Sequence, residues 1–199
     1  VLVTGDAVDW DGDGVPEPGF TVDSISWFDG FSIGPDRSIH VIAEVDANGT
    51  TLEALLRIEF GVGESYCQTA INSTGVPATL SASGTDQVAD NDLTLFARRM
   101  PLDQFGYFLN SETQAFVPGV GESQGNLCLG GSIGRYTDQV FGTGATGTGI
   151  LTLDLPNTPT PSGVTAVLAG QTWNFQAWYR DANPSVTSNF TNGLQVDFQ

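Results

Sequence analysis

The sequence predicts an all-β protein in which an immunoglobulin-like or jelly-roll β-sandwich follows a smaller, hairpin-rich segment. Short apolar alternations are separated by Gly, Pro, Asn and Asp, and the helical 3.6-residue period is almost absent. The clearest hairpin is SIHVIAEVDANGTTLEALLRIEF, because Asn48–Gly49 is a preferred pair for a tight primed turn. The turn favours a returning strand in TLEALLRI, although the composition of that stretch also suits a helix.

Alternation assigns the two faces of the first strand in this hairpin. The residues predicted to face a core are Ile39, Val41, Ala43 and Val45. His40 shares the other face with Glu44 and Asp46. Because His40 is the only histidine, any mechanism that needs a histidine base must use it. We expect it to be an exposed strand residue with no catalytic role.

Charge and composition divide the chain into two segments. Residues 1–64 hold 13 acidic residues and 2 arginines, net −11, whereas residues 65–199 hold 10 acidic residues and 4 arginines, net −6. The candidate strands of the second segment are ATLSAS, LTLFARR, GYFLN, NLCLGG, GILTLDL, one or two strands in TAVLAGQTWNFQAWYR, and GLQVDF. We predict an acidic, β-repeat-like segment at 1–64 and a C-terminal sandwich module at 65–199.

The charge balance argues against nucleic-acid and membrane partners. The chain has 23 acidic residues, 6 arginines and no lysine, for a net charge of −17. Phosphate binding needs clustered basic residues, and the only adjacent pair is Arg98–Arg99. No apolar run approaches the ~20 residues that span a bilayer. Divalent cations and uncharged partners suit this composition better.

The two cysteines and the chain start indicate an extracellular protein. Cys67 and Cys128 lack the spacing of a metal site, so a structural disulfide is favoured over two free core thiols. Such a bond closes a loop of about 60 residues, is worth roughly 4 kcal/mol on the chain-entropy model, and belongs to an oxidising compartment. The opening VLVTGD lacks the features of a signal peptide, so we expect a mature or processed fragment of a secreted protein. Glycosylation sequons at Asn48, Asn72 and Asn189 are compatible with that location.

The stretch VDWDGDGVPEP, residues 8–18, has the pattern of a calcium-binding loop. Alternate carboxylates converge on one hard cation where a glycine permits a sharp turn. The predicted ligands are Asp9, Asp11, Asp13, the Val15 carbonyl and Glu17, with Asp6 and Asp23 as candidates for the remaining positions. A full EF-hand is excluded, since Phe20 stands where its last glutamate belongs and two prolines forbid the exit helix. The loop resembles those of dockerin and thrombospondin type 3 repeats, and the alternative is a solvated acidic turn.

The stretch TWNFQAWYRD, residues 172–181, is the candidate contact strand. One face, predicted to be core, consists of Trp173, Phe175, Ala177 and Tyr179. The other face consists of Asn174, Gln176, Trp178 and Arg180. A tryptophan among amides and a guanidinium suits a sugar-stacking platform, with Asp181 to accept bonds from hydroxyls. The alternatives are contact with another chain or domain, where Trp and Arg are enriched, and simple packing.

Two further patterns carry little functional weight. FGTGATGTG contains G-x-G-x-x-G at Gly142, Gly144 and Gly147, but a strand is predicted after it and not the helix that nucleotide binding requires. Asp90 and Asp92 are the nearest candidates for the carboxylate pair of a glycoside hydrolase. Such pairs are inevitable among 23 acidic residues. We therefore expect no enzyme.

Four long motifs in the second segment carry a resemblance: YCQTAINSTG, LSASGTDQVADNDLTLFARRMP, QFGYFLNSETQAFVPGVGESQGNLCLGGSIGRY and TWNFQAWYRDANPSVTSNFTNGLQVDFQ. Over about residues 65–199 the chain resembles an uncharacterised C-terminal β module of large secreted proteins of aquatic bacteria. The resemblance implies secretion, a cysteine pair and a C-terminal position in the parent, and it implies no activity. Residues 1–60 resemble, more weakly, one β repeat of surface-protein arrays, which must pack on the second segment or on another copy.

These observations lead to one expectation and two alternatives. We expect a non-enzymatic, calcium-stabilised structural or adhesive protein of an extracellular surface, self-assembling, as in a filament, or part of a larger assembly. The first alternative is a carbohydrate-binding module centred on Trp178 and Arg180, with glycans as partners. The second is a hydrolase of unrecognised type.

Overall fold

The computed structural model of the protein describes residues 6–8, 18–25, 31–33, 39–58, 61–182 and 185–199. These residues form eighteen β-strands and four short 3₁₀ turns, and none of them lies in an α-helix. The prediction of an all-β fold is therefore confirmed. In this part of the chain no helix is long and apolar enough to cross a membrane. The chain divides into two compact units, unit 1 (Val1–Phe60) and unit 2 (Gly61–Gln199).

The strands follow one another along the chain with short connections. Unit 1 contains β1 (Phe20–Ile25), β2 (Phe31–Ile33), β3 (Ile39–Ala47) and β4 (Thr50–Ile58). Unit 2 contains β5 (Glu64–Tyr66), β6 (Thr79–Gly84), β7 (Leu93–Arg98), β8 (Phe105–Ser111), β9 (Thr113–Pro118), β10 (Asn126–Gly130), β11 (Gly134–Arg135), β12 (Phe141–Gly142), β13 (Gly149–Thr152), β14 (Thr158–Thr160), β15 (Gly163–Thr165), β16 (Thr172–Ala182), β17 (Val186–Phe190) and β18 (Gly193–Asp197). The 3₁₀ turns are Val88–Asp90, Val120–Glu122, Thr137–Gln139 and Leu155–Asn157.

Unit 1 is one antiparallel sheet built around β3. Strand β4 pairs with one edge of β3 over its whole length, and β1 and β2 pair one after the other along the opposite edge. The β3–β4 turn is Asn48–Gly49, with φ of 54° and 85°. These positive values are the backbone conformation that a type I′ turn demands. The predicted hairpin is confirmed, and TLEALLRI is a strand.

The described residues of unit 1 form a small buried cluster. It consists of Val8, Val22, Ala43 and Val45. Strand β3 alternates as predicted, since Val41, Ala43 and Val45 are buried whereas Ile39 is half-buried. The fully buried side chains of this cluster are short and aliphatic, and the larger side chains of Phe20 and Leu56 pack against them while only partly buried.

Unit 2 is built from two facing sheets. The larger sheet runs β11–β8–β16–β18–β5, with β12 also on β8 and β17 also on β16. The smaller sheet runs β13–β7–β6. A single buried cluster includes Leu95 of β7, Leu151 of β13 and Phe175 of β16, so the two inner faces share one core. This is a sandwich-like arrangement of antiparallel sheets.

A two-stranded hairpin, β9–β10, lies over the outer face of the larger sheet. A second buried cluster joins Leu129 of β10 to Leu109 of β8 and Phe190 of β17. Cys67, just after β5, forms a disulfide with Cys128 of β10, with Cα atoms 6.2 Å apart. The predicted disulfide is therefore confirmed, and it fastens the hairpin to the sheet beneath it.

Candidate functional site

Strand β16 crosses the centre of the larger sheet, and its two faces have different surroundings. The inward side chains are Trp173, Phe175, Ala177 and Tyr179, and each is at most 2% exposed. Their prediction as core residues is confirmed. The outward residues lie partly under the β9–β10 hairpin and partly beyond it, so they do not form one exposed surface.

Two of the predicted contact residues are buried under that hairpin. The Gln176 amide accepts a hydrogen bond from the Cys128 backbone N–H (2.9 Å) and donates to the carbonyls of Asn126 (2.9 Å) and Thr191 (2.8 Å). Asn174 donates to the Ser111 carbonyl at 3.2 Å. Both amides form these hydrogen bonds in the buried layer between the hairpin and the larger sheet. A polar group left without a hydrogen-bond partner in such a layer would destabilise the fold. This corrects the prediction that Asn174 and Gln176 contact a sugar or a partner.

Asp181 is also a structural residue. Its side chain is 2% exposed, and its carboxylate accepts bonds from the backbone N–H groups of Ser73 (3.1 Å) and Ala182 (2.8 Å) and from the Asn189 amide (3.4 Å). A buried carboxylate that accepts three bonds has little capacity left for an external hydroxyl. Asp181 is therefore removed from the predicted contact surface, and its role is to fasten the 72–74 turn.

Trp178 and Arg180, the remaining outward residues of β16, lie beside Phe105 and Tyr107 of β8, and we call these four residues the aromatic–arginine surface. Phe105 and Arg180 are exposed, whereas Tyr107 and Trp178 are half-buried. Trp178 lies directly opposite Tyr107 in the β8–β16 register, with ring centroids 5.0 Å apart. Phe105 lies 5.9 Å from Trp178 and is 46% exposed. The Arg180 guanidinium lies over both rings, 5.5 Å from the Trp178 centroid and 5.8 Å from that of Phe105.

The two β8 aromatics of this surface were missed at the sequence level. QFGYFLN alternates Phe105, Tyr107 and Leu109 on one face and Phe108 on the other, so the strand was predictable. The pairing of β8 with β16 was not, because the partner strands are about 70 residues apart in a chain with many candidate strands.

The polar groups of the aromatic–arginine surface have no protein partners in the described ranges. Arg180 makes its two ring contacts there and no hydrogen bond or ion pair. The Trp178 indole N–H and the Tyr107 hydroxyl likewise bond to none of the residues the structure describes. Cation–π contacts hold the guanidinium plane over the rings while its N–H groups stay available.

The predicted calcium ligands Asp9, Asp11, Asp13, Val15 and Glu17 lie outside the described residues. Asp6 and Asp23 are described: the Asp6 carbonyl accepts a bond from the Val22 N–H at 2.8 Å, and Asp23 lies at an irregularity in the β1–β3 register. No group of three or more His, Cys, Asp or Glu side chains that could hold a metal occurs among the residues that the structure describes.

The other sequence patterns occupy ordinary structural positions. His40 is half-exposed on β3. Gly144 and Gly147 lie in a turn with positive φ, and strand β13 follows them, as predicted. Asp90 ends a 3₁₀ turn and Asp92 precedes β7, both exposed.

A surface depression at the end of the larger sheet collects three carboxylates. It is lined in part by Glu64, Asp86 and Asp197. The Asp197 carboxylate already accepts bonds from the Thr172 hydroxyl at 2.6 Å and from the Gln195 amide. At least one of the three carboxylates is thus already hydrogen-bonded to other side chains of unit 2.

Two of the three glycosylation sequons are internal. Asn72 and Asn189 are buried at 1% and 0% exposure, and Asn72 donates to the Arg99 carbonyl at 2.7 Å. An oligosaccharide cannot attach to either amide in the folded chain. Asn48, in the exposed β3–β4 turn, is the sequon compatible with a surface location.

Unit 1 contributes a different candidate, the outer edge of β4. The two-residue turn closes with the Ala47–Thr50 pair, so alternate residues of β4 bond to β3. The others, Thr51, Glu53, Leu55 and Arg57, direct their backbone N–H and C=O groups away from β3. Among the described strands none pairs with this edge, and the Leu55 side chain is 69% exposed.

No protein-family model, curated protein or solved structure matches this chain. Functional inference therefore rests on the geometry of its own residues.

Proposed function

We propose that this protein is a secreted, non-enzymatic structural or adhesive module of a surface assembly, and that it joins further copies of itself through the outer edge of β4. The observation that carries the proposal is the length of this edge: β4 has nine residues, Thr50–Ile58, with one described partner strand. An unpaired edge of this length is a ready template for strand addition.

The side chains along the edge favour pairing with a second copy. Leu52 and Leu55 are 38% and 69% exposed, which is apolar area that pairing would remove from water. In a two-fold antiparallel pairing centred on Leu55, Glu53 of one copy lies opposite the strand position of Arg57 in the other. The two-fold symmetry generates a second, equivalent pair of these positions. A pairing centred on Glu53 would oppose like charges. The charge pattern therefore selects the Leu55-centred register of a self-complementary interface.

Two further features support an extracellular surface role. The Cys67–Cys128 disulfide is a bond typical of oxidising compartments. The acidic stretch at residues 8–18 supports calcium as a stabilising ion, with Asp9, Asp11, Asp13, Val15 and Glu17 as its ligands. Calcium would neutralise carboxylates that otherwise repel one another in unit 1, and thereby favour the association of acidic chains.

Light scattering of the pure chain, in millimolar calcium and again in chelator, tests the proposal. We expect wild-type protein to have at least the mass of a dimer in calcium. Leu55→Pro removes one outward N–H without removing a β3–β4 bond, so it should return the chain to a monomer. Leu55→Thr is the matched control, because it keeps the N–H and introduces a β-branched side chain of the kind that strands favour.

The two variants distinguish edge pairing from other contacts. A monomeric wild type at high protein concentration in calcium would overturn the proposal. So would an oligomer of the same mass in Leu55→Pro and wild type, since the interface would then lie elsewhere. Retention of the oligomer by Leu55→Thr and its loss in Leu55→Pro would identify backbone pairing along β4.

A further inference from the structure

We infer that the aromatic–arginine surface of unit 2 binds an acidic saccharide, a sugar chain that carries carboxylate groups. This inference is independent of the pairing of β4, because it uses other residues in the other unit. It rests on the juxtaposition of Arg180 with the rings of Phe105, Tyr107 and Trp178 on the outer face of the larger sheet.

The charge of the site indicates an anionic ligand. The chain has a net charge of −17 and only 6 basic residues, so Arg180 is one of the few cationic groups that an anion can meet. Arg180 is exposed and has no ion pair within the described residues. A guanidinium supported by aromatic rings presents its N–H groups in a fixed fork that matches a carboxylate in two-point geometry.

The rings indicate a flat ligand with apolar faces and polar edges. The Trp178 and Tyr107 rings are inclined at 33°, and Phe105 adds a third ring at 59° to Trp178. Sugar rings present C–H groups on their faces and hydroxyls on their edges. A sugar face can pack against the exposed part of the Phe105 ring beside the guanidinium, while the Trp178 N–H and the Tyr107 hydroxyl can bond to the hydroxyls.

The surface remains accessible because the β9–β10 hairpin covers only part of the outer face. Gln176 lies beneath the hairpin, whereas Trp178, two residues further along β16, is half-buried and Arg180 is exposed. Leu127 and Ile133 pack against the same cluster at the hairpin side. The aromatic rings therefore form the base of the site, and the hairpin residues border it on one side.

A second arginine on the same unit provides the contrast that the test needs. Arg98 lies over Phe96, 4.7 Å from the ring centroid, on the outer face of the smaller sheet. Its guanidinium donates to the Ser81 hydroxyl at 3.2 Å, and its side chain is half-buried. Arg98 thus makes a cation–π contact as Arg180 does. However, Arg98 contacts one ring and not a group of three, and its guanidinium already donates a hydrogen bond within the protein.

Calorimetric titration of the full chain with a galacturonate hexasaccharide is the direct test. A chelator keeps calcium from bridging two sets of carboxylates, and about 0.15 M salt screens the repulsion between the acidic chain and the acidic sugar. We expect wild type to bind, and Arg180→Gln to weaken binding at least about tenfold, because a hydrogen bond to a charged group is lost. Arg98→Gln should bind like wild type. The fully methyl-esterified hexasaccharide, which has the same rings without charge, should bind at least about tenfold more weakly than the acid form.

Several results would overturn the inference. They are no heat of binding with wild type up to millimolar sugar, equal binding of the methyl ester, and equal binding by Arg180→Gln. Because Arg180 is exposed, its replacement leaves the core intact, and a circular dichroism spectrum checks this directly. The oligomer masses of Arg180→Gln and wild type can also be compared without sugar. If the variant forms smaller oligomers than wild type, the surface is a protein contact and the saccharide assignment is wrong.

Discussion

Unit 1 and unit 2 are both antiparallel β structures, but they bury different kinds of core. Among the residues that the structure describes, the largest fully buried side chains of unit 2 include Tyr179, Phe108, Phe175 and Phe198, whereas those of unit 1 are Val22 and Val45. Unit 2 also has a third layer, the β9–β10 hairpin, and a disulfide that fastens it. Burial of apolar area is the dominant favourable term in folding, so the described core of unit 2, with its aromatic residues, contributes more stability than the described core of unit 1.

Charge sharpens the contrast between the units. Residues 1–60 hold 12 acidic residues and 2 arginines, net −10, and residues 61–199 hold 11 acidic residues and 4 arginines, net −7. The smaller unit therefore carries the larger net charge. Self-repulsion of this kind opposes both a compact state and the association of two copies, and a bound cation relieves it. We therefore expect calcium, and the assembly that it permits, to affect the stability of unit 1. The stability of unit 2 should depend on the disulfide and on core packing.

The largest effect should follow removal of the disulfide, and it should be confined to unit 2. The bond joins residues 61 apart, and on the chain-entropy model its loss costs about 4 kcal/mol. We expect the double variant Cys67→Ala, Cys128→Ala to unfold at lower guanidinium concentration than wild type, as measured by tryptophan fluorescence. Replacing Trp10 and Trp27 by Phe leaves Trp173 and Trp178 as reporters of unit 2.

Reduction of the wild-type disulfide under the same conditions is the control for the alanine side chains. It should produce the same shift in the unit 2 transition, whereas a transition reported by Trp10 and Trp27 alone should not move. An equal shift in both transitions would show that the two units unfold as one, and would remove the contrast between them.

Strands in which apolar and polar residues alternate could be predicted from the sequence. The stacking of the two sheets and the hairpin into layers could not. Six predicted strands match β6, β7, β8, β10, β13 and β18. TAVLAGQTWNFQAWYR contains the single long strand β16 from Thr172, because residues 168–171 form a turn closed by the Gln171 N–H on the Leu168 carbonyl. Strand β9 was missed, since its side chains are mostly exposed and give no alternation of apolar residues.

The candidate site shows the same limit of sequence reasoning. Alternation correctly placed Trp178 and Arg180 outward, but it could not show that a hairpin covers Gln176 and Asn174. Gln176 bonds to Cys128, 48 residues earlier in the chain, so its burial is a tertiary event. The carboxylate of Asp181 is likewise buried by the distant 72–74 turn, which a pattern within β16 cannot reveal.

A further loss of stability, again confined to unit 2, should appear at alkaline pH, and for a single tyrosine it should be smaller than the loss that follows removal of the disulfide. Burial raises the pKa of Tyr66 to about 12, that of Tyr136 to about 12, and that of Tyr179 well above its usual range. Above pH 10 these groups ionise in the unfolded chain but stay protonated in the folded one, so stability falls as pH rises from about 10 to 12. For Tyr136 alone the loss by pH 12 is about 2 kcal/mol. Unit 1 contains no tyrosine and lacks this contribution.

Urea denaturation at pH 9 and pH 11.5, with phenolate absorbance as a second readout, measures this difference. The variant Tyr136→Phe should lose less stability between the two pH values than wild type. An unchanged pH dependence in Tyr136→Phe, or a loss of equal size in unit 1, would contradict the assignment of the effect to buried tyrosines.

The smallest effect should be that of calcium, and it should be confined to unit 1. An extracellular site with a dissociation constant of about 1 mM stabilises by about 1 kcal/mol at ten times that concentration. We expect 10 mM calcium, compared with sodium chloride of equal ionic strength, to stabilise unit 1 by an amount of this order, as measured by the unfolding transition that Trp10 and Trp27 report.

Asp11→Asn should abolish the shift, because it removes one charge from the predicted ligand set. Asp103→Asn, a matched change in unit 2, should leave it intact. Stabilisation of both units by calcium, or its survival in Asp11→Asn, would mean that the ion acts by general screening of a chain with net charge −17 and not through a bound site at residues 8–18.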